Sequence, residues 1–101
     1  MIQSVDCFFS TLAEVDLEEI ADYIARDNPR RALSFIHEIR ERCQKIVIFP
    51  DAAPLRKEFG TGIRFVPFGR YLIFYTVHTN TVRIERILSG FRLVSSDYFN
   101  Q

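Results

Sequence analysis

The order of apolar and polar residues predicts a strand followed by two helices in the first half of the chain. Residues 2–9 form a short apolar run that ends at Ser10, as a β-strand does. Ser10 or Thr11 can then cap a helix. The helix is amphipathic, with apolar positions at helical spacing and acidic residues expected on a solvated face. The apolar positions are Leu12, Ala13, Leu17, Ile20, Ala21 and Ile24, and the acidic ones are Glu14, Asp16, Glu18, Glu19 and Asp22.

A second amphipathic helix follows almost at once. Asn28 precedes a proline and is therefore disfavoured in a helical conformation, while Pro29 suits the first position of a new helix. This helix ends by Phe49-Pro50, and the short connection predicts an antiparallel αα-hairpin. Its apolar stripe contains Ala32, Leu33, Phe35, Ile36, Ile39, Cys43, Ile46 and Val47.

The second half of the chain has the alternation of a β-meander. Residues 51–62 contain proline and glycine and predict a loop. Three runs follow: one from Arg64, one from Arg70 to Val77 after a turn at Gly69, and one from Thr81 to Leu88. The middle run is apolar at both parities, which predicts a central strand with the helices on one face and the tail, residues 91–99, on the other.

These elements predict one α+β domain over residues 1–101: an N-terminal strand, an antiparallel αα-hairpin, and a three-stranded antiparallel β-meander packed on the helices. The composition is that of a folded soluble chain, 48% hydrophobic and 26% charged. No apolar run is long enough to span a membrane, and the N-terminus lacks the pattern of a signal peptide. Cys7 and Cys43 are expected to be buried free thiols, which indicates a reducing cytoplasm.

Charge is unevenly distributed although the formal net charge is zero. Residues 1–55 carry six basic and ten acidic side chains, and residues 56–101 carry seven basic and three acidic ones. Either the imbalance is chance, or an acidic helical half and a basic sheet half meet different partners. A zero net charge argues against a protein whose main task is to grip bulk RNA.

The arginines are the candidate chemistry of the predicted sheet, at positions Arg64, Arg70, Arg83, Arg86 and Arg92. Arg86 has the parity of Val82, Ile84 and Leu88, and an arginine among apolar residues needs an anionic partner. Two interpretations stay open: a structural ion pair with Glu85, Asp97 or a helix carboxylate, or an anion-binding patch. His37 and His78 have no companions at metal or relay spacing. Arginine and ordinary tyrosine are poor proton carriers at neutral pH, so no catalytic group is identified.

Several segments, in this order and spacing, resemble the ParE/RelE toxin superfamily, and the ParE branch most closely. They are Ala-Glu-x-Asp-Leu-Glu-Glu-Ile-Ala-Asp-Tyr-Ile (13–24), Asn28-Pro29, Phe49-Pro50, Gly62-Ile-Arg64, Gly69-Arg-Tyr-Leu-Ile-Phe-Tyr75 and Val82-x-Ile-x-Arg-Ile-Leu-x-Gly-x-Arg92. The resemblance implies a RelE-like fold and the toxin of a bacterial type II toxin–antitoxin system. Such a toxin is neutralised by a cognate antitoxin, ParD-like or related.

The resemblance also implies a target. ParE toxins act on DNA gyrase, block replication and arrest growth, whereas RelE-type relatives cleave messenger RNA in the ribosome. For the second activity the matching residues are Arg64, Arg86 and Tyr98, with Lys57 or Glu58 as loop groups. Phe91 stands where many of the ribonucleases have histidine or tyrosine, which favours gyrase, although Ser89 departs from the histidine common in ParE. A degenerate toxin that only binds its antitoxin is the third possibility.

Two surfaces are expected from the resemblance, with no cofactor, no metal, and no sequence-specific nucleic-acid binding without the antitoxin. The target-binding residues are expected to be Arg64, Arg70, Arg86, Phe91, Arg92, Tyr98 and Phe99. The antitoxin is expected to dock either in the groove between the two helices or along the edge of the meander. The antitoxin-binding residues are expected to be Leu17, Ile20, Ile24, Leu33, Ile36 and Ile39.

Overall fold

The computed structural model describes residues 6–90 and 95–99 and has the predicted α+β architecture. One four-stranded sheet carries two helices on one face. The elements are β1 (Asp6–Phe9), α1 (Thr11–Ala25), α2 (Pro29–Ile48), β2 (Arg64–Phe68), β3 (Tyr71–His78) and β4 (Thr81–Ser89), with short 3-10 helices at Lys57–Phe59 and Ser96–Phe99. No helix in this part of the chain is long and apolar enough to cross a membrane.

Side-chain caps set the start of both helices. The Ser10 hydroxyl oxygen accepts a hydrogen bond from the backbone N–H of Ala13 (3.0 Å), and the Asn28 side chain accepts one from Arg31 N–H (3.1 Å). Each cap satisfies a donor that the first helical turn leaves without a partner. Pro29 is the first residue of α2, as the sequence predicts, and the αα-hairpin is confirmed.

The strand order is β1-β4-β3-β2. The last three strands form the predicted antiparallel meander, and β1 pairs in parallel with β4, Cys7 opposite Val82. The predicted central strand is confirmed, because Ile73, Phe74 and Tyr75 of β3 are all buried at 0–1% exposure although they alternate between the two faces.

The two faces of the sheet are covered by different kinds of residue. The helix-side core is the set of buried residues between helices and sheet: Ala13, Leu17, Phe35, Ile39, Cys43, Ile46, Ala53, Ile73, Tyr75, Val82, Ile84 and Ile87. The tail-side cluster on the opposite face consists of Ile63, Phe74 and Leu88 with Phe59, Phe65, Leu72, Tyr98 and Phe99 packed against them. Tyr98 and Phe99 therefore cover this face as predicted, while residues 91–94 lie outside the described residues.

A β-bulge in β4 changes the faces that simple alternation predicts. Phe74 pairs with Arg86 and Tyr75 pairs with Ile84, so Glu85 is an extra residue on β4. Beyond it, Ile87 joins Val82 and Ile84 in the helix-side core, whereas Leu88 joins the tail-side cluster. Arg86 was predicted to face the same side of the sheet as Val82 and Ile84. This prediction was wrong because it assumed that β4 has no bulge.

Where β1 ends, the start of α1 takes its place along the edge of β4. Ser10 N–H donates to Ile84 O (2.9 Å) and the Ser10 hydroxyl donates to Glu85 O (2.8 Å). One turn into α1, Asp16 Oδ2 accepts a hydrogen bond from Ile87 N–H (3.0 Å). Asp16 is 7% exposed, so its predicted place on a solvated acidic face was wrong: the edge of β4 needs an acceptor there.

Candidate functional site

Arg86 is held by a helix carboxylate. Its Nε and one terminal nitrogen donate to the two carboxylate oxygens of Asp16 at 2.7 and 2.8 Å, and the Arg86 and Asp16 side chains are only 15% and 8% exposed. The hydrogen bonds from Arg86 to Asp16 raise the pKa of Arg86, although burial opposes them. The other terminal nitrogen donates to Tyr98 O (3.0 Å), and the guanidinium lies 5.6 Å from the Tyr98 ring centroid. Of the two interpretations of Arg86, the structure shows the ion pair with a helix carboxylate.

Arg64 is held at the opposite edge of the sheet. Its guanidinium donates to Ala53 O and lies 3.2 Å from an Asp51 carboxylate oxygen, and its side chain is 16% exposed. Tyr75, opposite Arg64 in the β2–β3 register, donates its hydroxyl to Pro50 O (2.9 Å). Burial raises the pKa of Tyr75, which keeps the phenol protonated. Arg64 and Tyr75 thus fasten the loop after α2 to the sheet.

The structure does not bring the sheet arginines together in one anion-binding patch. Arg64 lies opposite Tyr75 and Arg86 lies opposite Phe74, and consecutive residues of β3 face opposite sides of the sheet. The pKa shifts of Tyr75 and Arg86 both move away from neutrality, so neither group is poised to transfer a proton.

The remaining predicted target-binding residues fall in two places. Arg70 is exposed in the turn between β2 and β3, where its backbone oxygen accepts a hydrogen bond from Gly90 N–H at the end of β4 (2.7 Å). Tyr98 and Phe99 are half-buried, with the Phe99 ring centroid 4.9 Å from that of Phe74. Phe91 and Arg92 lie outside the described residues.

A polar cluster that the sequence did not predict lies where β3 ends and β4 begins. The Thr76 hydroxyl donates to a Glu85 carboxylate oxygen (2.7 Å) and lies 2.9 Å from His78 Nε2, and Arg83 lies 3.8 Å from the same carboxylate. The spacing in sequence hides this cluster, because Glu85 is the extra residue of the bulge and its side chain reaches Thr76, whose register partner is Arg83. In the described part of the chain, no group of three or more His, Cys, Asp or Glu side chains could hold a metal ion.

A groove of about 480 Å³ lies where the end of α1, the start of α2 and the β2–β3 turn meet. We call it the α1–α2 groove; it adjoins a smaller depression of about 200 Å³ that shares Tyr23 and Tyr71 with it. Tyr23 is 63% exposed at its rim, and Phe35 packs edge-on against Phe68 and Tyr71 at its base. The lining of the groove is Tyr23, Ile24, Arg31, Phe35, Glu38, Phe68, Gly69, Arg70 and Tyr71.

Only some of the predicted antitoxin-binding residues reach this surface. Ile24 lines the groove and Ile20 lines the adjoining depression. Leu33 is 72% exposed, and Ile36 is half-buried against the helix-side core. Leu17 and Ile39 are 3% and 0% exposed, so a partner cannot contact them in this fold, because the centre of each apolar stripe faces the sheet.

Comparisons with known proteins show which family the sequence matches and which solved structures share the fold. A model of the family described as "ParE toxin of type II toxin-antitoxin system, parDE" matches residues 8–93. A chain of the "Chromosomal ParDE TA system from P. aeruginosa" superposes with a TM-score of 0.73 at 19% identity, covering 84% of this chain and 95% of that one. A chain of the toxin–antitoxin complex RelBE2 from Mycobacterium tuberculosis superposes with a TM-score of 0.59 at 22% identity, covering 88% and 94%. A comparison with curated proteins gave no significant match.

Proposed function

Because the chain belongs to the ParE family of type II toxins, we propose that it inhibits DNA gyrase by protein–protein contact, without chemistry of its own. The observation that supports this mechanism is the placement of Arg64 and Arg86. Each guanidinium is held by acceptors of its own chain, Arg64 by the loop beside β2 and Arg86 by Asp16 at the edge of β4. A phosphoryl-transfer site needs converging cations around the reacting group, and these two do not converge.

We propose the turn between β2 and β3, together with the end of β4 beside it, as the contact with gyrase. Arg70 is exposed there and next to Gly90, after which the chain continues to Phe91 and Arg92. Arginine and aromatic side chains are the residue types that most often carry the binding energy of a protein interface. A surface of this composition suits recognition of a protein better than catalysis.

The cognate antitoxin is proposed to occupy the α1–α2 groove. The groove has an apolar base, Phe35 and Tyr71, and the exposed ring of Tyr23 at its rim. An amphipathic segment of a partner would bury these rings, with Ile20 and Ile24 beside them. Arg70 lines the same groove, so an antitoxin seated here would cover part of the proposed gyrase contact.

The test is gyrase supercoiling with the purified chain, run beside a ribosome-programmed translation reaction. We expect loss of supercoiling with translation spared. Arg70→Glu should weaken inhibition by about tenfold or more, because it reverses the charge at the centre of the proposed contact. Lys45→Glu is the control for charge reversal, since Lys45 is exposed in the last turn of α2, at the opposite end of that helix from the groove, and lines neither proposed surface.

Two other outcomes would overturn the proposal. Cut messenger RNA with gyrase activity unchanged would establish a ribosome-dependent ribonuclease. The variant Tyr98→Phe would then test whether the Tyr98 hydroxyl takes part in the cleavage. No effect in either reaction, with antitoxin binding retained, would identify a degenerate toxin that only binds its antitoxin.

A further inference from the structure

The two cysteines lie on two elements that pack together, Cys7 on β1 and Cys43 on α2. Cys7 and Phe9 are two residues apart on β1 and so face the same side of the sheet, and Arg40 and Cys43 are three residues apart on α2 and so are neighbours on the helix. The Arg40 guanidinium lies 5.0 Å from the Phe9 ring centroid. One step along each element, Cys7 packs against the helix-side core, which contains Cys43.

The environments of the two thiols are unequal. Cys7 is half-buried, whereas Cys43 is 1% exposed. The hydrogen bond from Cys43 lowers the pKa of Cys7; burial opposes this effect and the charge of Arg40 adds to it. The same hydrogen bond, together with burial, raises the pKa of Cys43. Since the thiolate is the nucleophile, Cys7 is the reactive cysteine and Cys43 is the resolving cysteine.

We propose that Cys7 is a site of oxidation by hydroperoxides and that Cys43 resolves the product into a disulfide between β1 and α2. This inference does not depend on the gyrase proposal, because neither cysteine lines the α1–α2 groove or the β2–β3 turn. A partly exposed thiol near an arginine, with a second thiol in the same core, has the ingredients of a peroxide-sensing cysteine pair.

The chemistry proceeds in two balanced steps. The Cys7 thiolate attacks one oxygen of the hydroperoxide, the O–O bond breaks, and the leaving oxygen takes a proton from water, so Cys7 becomes a sulfenic acid while the peroxide is reduced. The Cys43 sulfur then attacks the Cys7 sulfur as it gives up its proton to the departing hydroxyl. The S–S bond forms as the S–O bond breaks, and the Cys43 proton leaves with the hydroxyl as water. A dithiol reductant returns both thiols.

The consequence of the disulfide is mechanical. It would tie the first strand to the second half of α2 and enclose residues 8–42, which include the whole of α1. A cross-link across a long loop removes conformational freedom from the unfolded chain. The oxidised protein is therefore expected to unfold at a higher denaturant concentration than the reduced protein.

The experiment treats the purified full chain with hydrogen peroxide, counts free thiols, and maps peptides by mass spectrometry without reduction. We expect loss of both thiols and a disulfide peptide joining Cys7 to Cys43 within a single chain. In Cys43→Ser, Cys7 should accumulate as a sulfenic acid that dimedone captures. In Cys7→Ser, Cys43 should remain a thiol under the same treatment.

Alkylation of the untreated protein decides the case even if a cysteine variant fails to fold. With iodoacetamide, Cys7 should react about tenfold faster than Cys43 or more, because it is the more exposed and the more ionised thiol. Equal alkylation rates, a disulfide formed only between chains, or oxidation of Cys43 as fast in Cys7→Ser as in the unsubstituted chain would each overturn the proposal.

Discussion

The two faces of the sheet bury the same central strand by different means. On the helix side, regular helices lay mostly aliphatic stripes on β3 and β4, and the edge is closed by the Asp16–Arg86 pair. On the tail side, the cover comes from short segments far apart in sequence, and a few rings do most of the packing: Phe74 has Phe65 at 5.3 Å and Phe99 at 4.9 Å. The helix side is thus part of the cooperative core, whereas the tail side depends on a few removable contacts.

The two fastened arginines extend this comparison to the edges of the sheet. Arg86 joins α1 to β4 and also reaches the tail through Tyr98 O. Arg64 joins β2 to the loop that follows α2. Both are structural, but Arg86 has a buried carboxylate partner and Arg64 a highly exposed one, since the Asp51 side chain is 79% exposed. Breaking the Arg86 pair is therefore expected to lower the free energy of unfolding more than breaking the Arg64 pair.

The largest effect is expected from breaking the Asp16–Arg86 pair. Among the described residues, Arg86→Ala leaves the buried Asp16 carboxylate with the Ile87 N–H as its one donor, and should lower the free energy of unfolding by about 3–5 kcal/mol. Urea denaturation followed by circular dichroism measures the change. Asp16→Ala should cost a similar amount, and the double variant less than the sum of the two, because they share one interaction.

Arg83→Ala is the control for that experiment. Arg83 is on the same strand, but its side chain is 42% exposed and 3.8 Å from the Glu85 carboxylate, so its removal should cost at most about 1 kcal/mol. If Arg86→Ala lowered the free energy of unfolding no more than Arg83→Ala does, water would be reaching Asp16. The Asp16–Arg86 pair would then not shield the edge of the core from solvent.

This pair also shows where prediction from sequence ends. Patterns with a local cause were read correctly: the break at Asn28-Pro29 predicted the αα-hairpin, and apolar residues at both parities predicted β3 as the central strand. The bulge at Glu85 could not be predicted, because the alternation of apolar and polar residues along a strand does not mark where an extra residue is inserted. Asp16 sits in an acidic run, and its burial depends on Arg86, 70 residues further along the chain.

The candidate sites show the same division. Ile20 and Ile24 were expected on the antitoxin-binding surface. Ile24 lines the α1–α2 groove, and Ile20 lines the adjoining depression. The other wall of that groove, Phe68 and Tyr71, comes from a turn whose position beside the helices is set by tertiary packing. Leu17 and Ile39 belong to the same stripes as Ile20 and Ile36, and only the position of the sheet decides which members of a stripe are covered.

A smaller effect is expected from the tail side. Phe99→Ala removes a half-buried ring from Phe74 and Phe59 and should lower the free energy of unfolding by about 1–2 kcal/mol, less than a fully buried ring would cost. Hydrogen exchange should then increase first in the segment around Phe59, with the helices still protected.

Phe49→Ala is the matched control, because Phe49 is an aromatic residue at 72% exposure at the end of α2, and its loss should change stability by no more than about 0.5 kcal/mol. Uniform loss of protection across α1 and α2 in Phe99→Ala would contradict the comparison, since it would make the tail side part of the same cooperative unit as the helix side.

The smallest effect is expected at the loop fastened by Arg64. Tyr75→Phe keeps the buried ring and removes only the hydroxyl that donates to Pro50 O, so it should cost about 0.5–1.5 kcal/mol. Thermal unfolding measures the loss, and Tyr23→Phe is the control, because Tyr23 is 63% exposed and water replaces any bond of its hydroxyl. A cost near that of Arg86→Ala would mean that the loop and the edge of β4 unfold as one. A cost no larger than that of Tyr23→Phe would mean that the Arg64 contacts hold the loop by themselves.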